Sequence, residues 1–531
     1  MNLASIFATT ARLSAATTLL AATTACWPGI PVAVMLAGGG GGGGGGGSAA
    51  SIASDPLLGD EWHLNNVGQG GGVPGEDANV LSVHAQGGTG TGVLVAVVDS
   101  SMQHDHPDLT PNIASGMSYD YKTGGTTPVP TNHPNDFHAT AVAGVAAARG
   151  GNGLGVSGAA PRAQLCNFNL LSPEILYTDA NAADAMVHDL ASVDVSNNSW
   201  GPAGGPGYLW PAPSIWSSAI NDGVSNGRSG RGVAYLFAAG NEGHLAADTN
   251  YSGYTTSPGV TVIGAVGDDG KRAIYSTPGA TICVAAPSLG NNQHGITTTD
   301  RTGTAGYNAS GAPDYADLDY TGTFSGTSSA TPLVSGVVAL MLEANPSLTF
   351  WDVRSILART ARKNDPRHAD WQVNEAGFHV NHDYGFGVVD ADAATNLSRS
   401  WQNPGKTIFV NSPIRFPGIT IPDNSSKGAS DSLTVSGSGI RSLDFVTIVF
   451  TSDHRYSSQL KVVLVSPKGT ASVLARSRVL SSKPLDYNYW PFGTLRCLDE
   501  PADGTWTLYV YDLISGYTGK ITSWFLTLYG H

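Results

Sequence analysis

The run "VLVAVVD" (Val93 to Asp99) constrains this chain more than any other stretch. It is apolar up to its last residue, rich in β-branched valine, and shows no alternation of polar and apolar positions. Such a run suits a strand buried on both faces, as in a parallel sheet covered by helices, with its one polar group at the carboxyl end. The same form recurs in "AYLFAAGN" (Ala234 to Asn241) and "VTVIGAV" (Val260 to Val266). Helix-like segments lie between, "ATAVAGVAAA" after His138 and "NAADAMVHDLASV" from Asn181. Alternating strand and helix predicts an α/β domain with a mostly parallel sheet. Open sheets of that kind bind ligands beyond the carboxyl ends of their strands, which directs attention to residues such as Asp99 and Asn241.

After about Asn396 the texture changes. "SLDFVTIVFTS", "QLKVVLVSP", "GTWTLYVYD" and "ITSWFLTLYG" alternate apolar residues with Thr, Tyr, Ser or Lys and are separated by turn residues. Period-two strands at short intervals predict an all-β sandwich or jelly roll. At the other end, Arg12 precedes an alanine-rich apolar run through Leu19, Leu20 and Ala25, with no acid before Asp55. That pattern reads as an export signal, and the run is short for a membrane span. "TTAC" loosely resembles a lipoprotein processing site, with Thr23 in place of the aliphatic residue, so a lipid anchor at Cys26 is the alternative to free secretion. Gly38 to Gly47 form a flexible tether. The expected division is a signal and tether over 1–47, an α/β domain over 48–395 and a β-sandwich over 396–531, in a chain expected to act as a monomer.

Charged residues make up 13% of the chain, about half the usual share, and the formal net charge is −14. That balance argues against nucleic acid or an anionic membrane as partner and is compatible with bound cations such as calcium. Apart from Cys26, the cysteines are Cys166, Cys283 and Cys497. Their number and spacing define neither a disulfide framework nor a zinc site, and they are expected to be buried with at most one bridge.

The stretch "TFSGTSSATPLVSGVVALML" (Thr323 to Leu342) sets Ser325, Ser328, Ser329 and Ser335 against an apolar run that predicts a buried helix. Ser335, Gly336 and Ala339 are expected only to let neighbours pack closely. Pro332 suits a first helical turn, which places Ser328 and Ser329 at the helix N-terminus, where free amides favour developing negative charge. A nucleophile there gains an oxyanion site from its own N–H, and helix geometry does not choose between the two. A serine needs a base and an orienting acid to react at neutral pH. His138 opens the small-residue helix, Asp99 ends a strand, and Asn241 ends another. Taken singly, these residues read as a helix start, an N-cap or turn former, and a turn.

Together, "VAVVDSSMQHDHPDL", "FHATAVAG", "SWGP", "AAGNEG" and "GTSSATP" resemble, in order, the signatures of the subtilisin-like serine proteases. The similarity runs from about Asp55 to Ala393 and is closest to the kexin and furin group of proprotein convertases. The chain from about Trp401, notably "DGTWTLYVYD" and "WFLTLYG", resembles their P (homo B) domain. The resemblance implies an exported serine endopeptidase acting on polypeptide. Ser328 would be the nucleophile, His138 the base, Asp99 its orienting acid and Asn241 the oxyanion donor. Ser199-Trp200-Gly201 and Ala238-Ala239-Gly240 would pair with extended substrate. It also implies one structural calcium held by Asp55, Asp108 and Asn152. In the convertases the P domain supports the catalytic fold, although its strands could serve as a targeting surface.

Several positions depart from that pattern. Ala139 stands where the family has glycine after the histidine. The acids that read paired basic residues are replaced by Ser100, by Ala203, Gly204 and Gly205 after "SWGP", and by Ser252. Burying an Arg or Lys head without a carboxylate costs on the order of several kcal/mol, so strict dibasic cleavage is expected to be lost. Too few residues separate the tether from Asp55 for a folded pro-domain, so either a separate chaperone assists folding or the domain folds unaided. The rival reading is a catalytically silent binding or adhesion protein on the same fold.

Overall fold

The computed structural model describes residues 54–531, apart from 132, 134, 135, 203–207, 292, 293, 312 and 480–486. The expected signal, Cys26 and the glycine tether therefore lie outside the described residues, as do Ala203, Gly204 and Gly205.

Seven strands form the central sheet: β1 (Leu94–Asp99), β2 (Tyr119–Asp120), β3 (Gln164–Asn169), β4 (Val195–Asn198), β5 (Ala234–Ala238), β6 (Thr261–Val266) and β7 (Ile282–Pro287). Their order is β2-β3-β1-β4-β5-β6-β7, and every ladder is parallel. Each of the three runs singled out above is a strand of this sheet. β1, β5 and β6 are buried at every position, as uninterrupted apolar runs require when both faces are covered.

Helices α1 (Val80–Ala85), α2 (His138–Ala147), α3 (Asp179–Val187), α4 (Ser214–Gly230), α5 (Thr327–Ala344), α6 (Phe350–Thr360) and α7 (Ala391–Ser400) cover the two faces. A hairpin of β8 (Ile296–Thr299) and β9 (Tyr320–Phe324) leads into α5, and a second one joins β10 (Gln372–Val373) to β11 (His379–Val380). The helix starts follow local chemistry. Thr178 accepts from Asn181 N–H, Asp390 accepts from Ala393 N–H, and Thr349 and Asp352 form a capping box ahead of α6. α5 is long and apolar enough to cross a membrane by length and composition, but it is mostly buried and packs against β4, β5, β6, β7 and α2. It is the core helix of the domain.

α7 continues past residue 396 to Ser400, so the change of texture in the sequence begins inside the last helix and the sandwich follows it. The sandwich comprises β12 (Ile408–Asn411), β13 (Ile419–Ile421), β14 (Ala429–Val435), β15 (Leu443–Ser452), β16 (Leu460–Val465), β17 (Ala471–Ala475), β18 (Trp490–Thr494), β19 (Gly504–Asp512) and β20 (Gly519–Gly530). One sheet runs β12-β20-β15-β18 with β13 also on β20, and the other runs β14-β19-β16-β17. Alternate residues point inward, Leu460, Val462 and Leu464 against Trp506, Leu508 and Val510, which is the period-two pattern of the sequence.

The two domains share their cores. Phe445, Leu495 and Leu498 of the sandwich pack into the α/β core, while Tyr251 and Ala280 of the α/β domain pack into the sandwich core. Polar contacts accompany this packing. Trp490 Nε1–H and Gly493 N–H donate to Asn250 at 2.9 and 2.7 Å. Arg354, fully buried, lies 4.6 Å over Trp351 and 5.2 Å over Phe445 and donates to Asp444 O. Removing that guanidinium from water pushes its pKa down to about 10. Cys166, Cys283 and Cys497 are all buried and unpaired, so the expected burial holds and no bridge joins them.

Candidate active site

Three neighbouring strands deliver groups to one end of the sheet. Asp99 is the last residue of β1, Ser199 follows β4, and Asn241 lies three residues beyond β5. β1 and β4 pair in parallel with Val97 opposite Asn197, which sets Asp99 and Ser199 level with one another. α2 and α5 pack together; His138 opens α2, and Ser328 is the second residue of α5.

Asp99 is fully buried, and both of its carboxylate oxygens lie 2.9 Å from His138 Nδ1. A carboxylate only accepts, so Nδ1 carries a proton. Ser100 N–H also donates to Asp99. The ring of His138 stands edge-on to Phe324 at 5.6 Å. Ala139 is fully buried, and its N–H donates to Ser100 Oγ at 3.3 Å, so the methyl that replaces a hydrogen here is packed inside a regular helix.

Ser328 Oγ–H donates to the carbonyl of Ser199 at 3.1 Å, and Ser199 Oγ–H returns a bond to the carbonyl of Ser328 at 3.0 Å. α5 starts at Thr327, which makes Ser328 and Ser329 its second and third residues, as expected. Pro332 is the sixth residue and not part of the first turn, a correction with a local cause. The N–H that proline lacks is the one that would have reached the Ser328 carbonyl, and the Ser199 hydroxyl takes its place. Ser329 Oγ bonds to Ser288 Oγ and Gly326 O, whereas Ser328 Oγ bonds to the carbonyl of Ser199.

Asn241 Oδ1 accepts from both the N–H (2.8 Å) and the hydroxyl (3.0 Å) of Thr327. Those two bonds leave Nδ2 as the donating end of the amide, beside the first turn of α5. Gly326, at φ +83°, brings the chain past that amide, and a Cβ there would come within 3.2 Å of Asn241 Nδ2. Gly240, at φ +106°, is bounded in the same way by Glu242 Oε2 and Thr277 Oγ1, each 3.0 Å from where its Cβ would sit. Trp200, between Ser199 and Gly201, meets Tyr254 and Phe237 edge-on at 5.7 and 5.6 Å.

Residue patterns alone had not flagged three further side chains. Thr327 orients Asn241, as just described. Asp136, two residues before His138 and fully buried, accepts from Ser101 N–H, Ser172 Oγ–H and Thr131 N–H. Asn197 bonds to Ser199 and Ser335. Thr327 could have been noticed as part of "GTS"; nothing local marks the other two.

Asp55 and Asp108 lie on separate loops but close enough to repel one another. Burial raises the pKa of both carboxyls, Asp108 to about 6, against the hydrogen bonds that each accepts. Asp55 accepts from Gly151 and Gly153 N–H, and Asp108 from Val156 N–H and Asn152 Nδ2–H. Asn152 thus meets Asp108, although it presents its amide nitrogen and not its oxygen. Glu61, buried nearby, is raised well above its usual range by burial and by both aspartates. Among the described residues, no group of three or more His, Cys, Asp or Glu side chains is arranged to hold a metal ion. The two buried acids are oxygen donors of the kind a hard cation takes, and their partners in this structure are neutral hydrogen-bond donors.

Residues 90–387 match the subtilase family (peptidase S8), and residues 443–528 match the proprotein convertase P-domain. Human proprotein convertase subtilisin/kexin type 7 is 31% identical over 488 residues, 90% of this chain and 60% of its own length. The dibasic-processing endoprotease of Schizosaccharomyces pombe is 33% identical, with 90% and 65% covered. Neuroendocrine convertase 2 of Rattus norvegicus is 30% identical, with 90% and 74% covered. This chain therefore spans about 60% of the length of the human relative. The crystal structure of the Aeromonas sobria serine protease in complex with its chaperone, ORF2, superposes with a TM-score of 0.82 at 27% identity. That match covers 90% of this chain and 95% of the Aeromonas chain. Motifs and fold agree with these likenesses, and the chain belongs to the subtilase family of serine proteases, with the P domain of its proprotein convertase branch.

Proposed function

We propose that this protein is an exported serine endopeptidase that cleaves extended polypeptide through an acyl-enzyme. His138 Nε2 takes the proton of Ser328 Oγ as that oxygen attacks the scissile carbonyl, then returns it to the leaving amine. Asp99 holds the Nδ1–H tautomer and stabilises the imidazolium that forms. Asn241 Nδ2 and the Ser328 N–H receive the oxyanion. Substrate pairs as an added strand with Ser199-Trp200-Gly201 and with the edge ending at Gly240. The observation that carries this reading is the twofold contact of Asp99 with His138 Nδ1, alongside a serine hydroxyl at the start of the buried helix.

Cleavage is not strictly dibasic. Ser100 is buried and hydrogen-bonded to the catalytic helix, and Ser252 closes a turn against Tyr254 N–H, so neither position supplies a carboxylate for a basic side chain. Asp55 and Asp108, with Asn152, would hold one calcium ion, whose charge offsets the two buried carboxylates. The Aeromonas neighbour was crystallised with a chaperone, which supports a separate folding factor here too. Profiling on a peptide library tests the reading: the wild type cleaves, Ser328→Ala does not, and basic residues before the cut are not required. A dominant Arg or Lys requirement there would overturn the specificity, and no cleavage by folded wild type would favour a silent binding protein.

A further inference from the structure

Ser335 reads in sequence as a small residue in a packed helix, yet its hydroxyl is one end of a buried chain of hydrogen bonds that finishes on the nucleophile. Ser335 lies seven residues after Ser328, two turns along α5 and so on the same face. Its Oγ–H donates to Asn197 Oδ1 at 2.9 Å, with Thr331 O a second acceptor at 3.1 Å. Asn197 Nδ2–H donates to Ser199 Oγ at 3.0 Å, and Ser199 Oγ–H donates to Ser328 O at 3.0 Å. The single Ser335 proton has Asn197 Oδ1 as its nearer acceptor, and Ser335, Asn197 and Ser199 are all buried. Bonds in such a chain polarise one another, and the low dielectric around them makes each harder to replace with water.

The relay ends where α5 needs it. Pro332 leaves the Ser328 carbonyl without its helical donor, and a carbonyl free to tilt would let ψ of Ser328 drift. The Cα–Cβ bond and the N–H of Ser328 share that pivot, so holding the carbonyl fixes where both the hydroxyl and an oxyanion donor point. We propose that Ser335 and Asn197 are positioning residues for the reaction, acting through Ser199 to hold the nucleophile and its own N–H in register. The inference rests on Ser328 being the nucleophile.

The test compares Ser335→Ala, Ser199→Ala and the double variant in the full-length protein, reading kcat, KM, melting temperature and the second-order rate of fluorophosphonate labelling. Ser335→Ala is expected to lower kcat and labelling about tenfold with KM little changed, since it leaves Asn197 Oδ1 without its donor. Ser199→Ala is expected to lose more, and the double variant no more than Ser199→Ala, because both act through one chain. Ser335→Thr, which keeps the hydroxyl, restores the labelling rate. An unchanged labelling rate in folded Ser335→Ala, or fully additive losses in the double variant, would overturn the proposal. A wild type that does not label at all overturns the assignment of Ser328 instead.

Discussion

Acidification should weaken the joint between the two domains at one histidine. His382 is 2% exposed, and both of its ring nitrogens are committed. Nδ1–H donates to Asp370 at 2.8 Å, and Nε2 accepts from the N–H of Val473, on β17 of the sandwich, at 3.0 Å. A second proton would sit on Nε2, facing Val473 N–H, with the guanidinium groups of Arg496 and Arg476 adding repulsion. Burial first, then these arginines, outweigh the favourable Asp370 bond and charge and lower the pKa from its ordinary 6.5 to about 4. The unfolded chain therefore binds this proton between pH 6.5 and 4 while the folded protein does not, so stability falls as pH drops through that window. The fall from 6.5 to about 4 corresponds to about 3 kcal/mol in full, of which about 2.5 kcal/mol has been lost by pH 4.5. Other buried histidines, His63 among them, slope the same way, so the measurement is a difference. Denaturant melts of the wild type and His382→Gln at pH 7.5 and 4.5 should show a fall smaller by about 2 kcal/mol in the variant. Parallel pH slopes in the two proteins would refute the reasoning.

Two further outcomes follow from the site. Asn241→Ala should lower kcat about 10²–10³-fold with KM little changed, checked by steady-state kinetics on a cleaved peptide. A calcium chelator should lower the melting temperature, and calcium restored at about 100 times its Kd should recover about 2.7 kcal/mol of stability. Asp108→Asn should abolish that response.

The parts of the fold that could be read in the sequence are those whose burial is uniform or strictly periodic. "VLVAVVD" sits inside a parallel sheet with helices on both faces, so its composition reports its surroundings directly, and the alternating C-terminal strands do the same for a sandwich. Asp99, His138, Ser328 and Asn241 stand out as candidates because short motifs surround each of them. What the sequence hides are partners far along the chain. Ser335 looked like packing because the residue that gives it a role, Asn197, lies 138 positions earlier. Pro332 was read by its usual place in a helix, whereas the replacement donor for the carbonyl it strands comes from beyond β4. The seam between the domains, where Asn250 meets Trp490, joins residues 240 apart and has no local signature.

The central claim is that Ser328 is a nucleophile activated by His138 and Asp99. Incubating the folded protein with a fluorophosphonate and locating the adduct by peptide mass spectrometry tests it most directly. One phosphonylated residue is expected, Ser328, with no labelling in Ser328→Ala and labelling slowed by orders of magnitude in Asp99→Asn, which can no longer accept the Nδ1 proton on both oxygens. An adduct on another serine, or Asp99→Asn labelling at the wild-type rate, would contradict it.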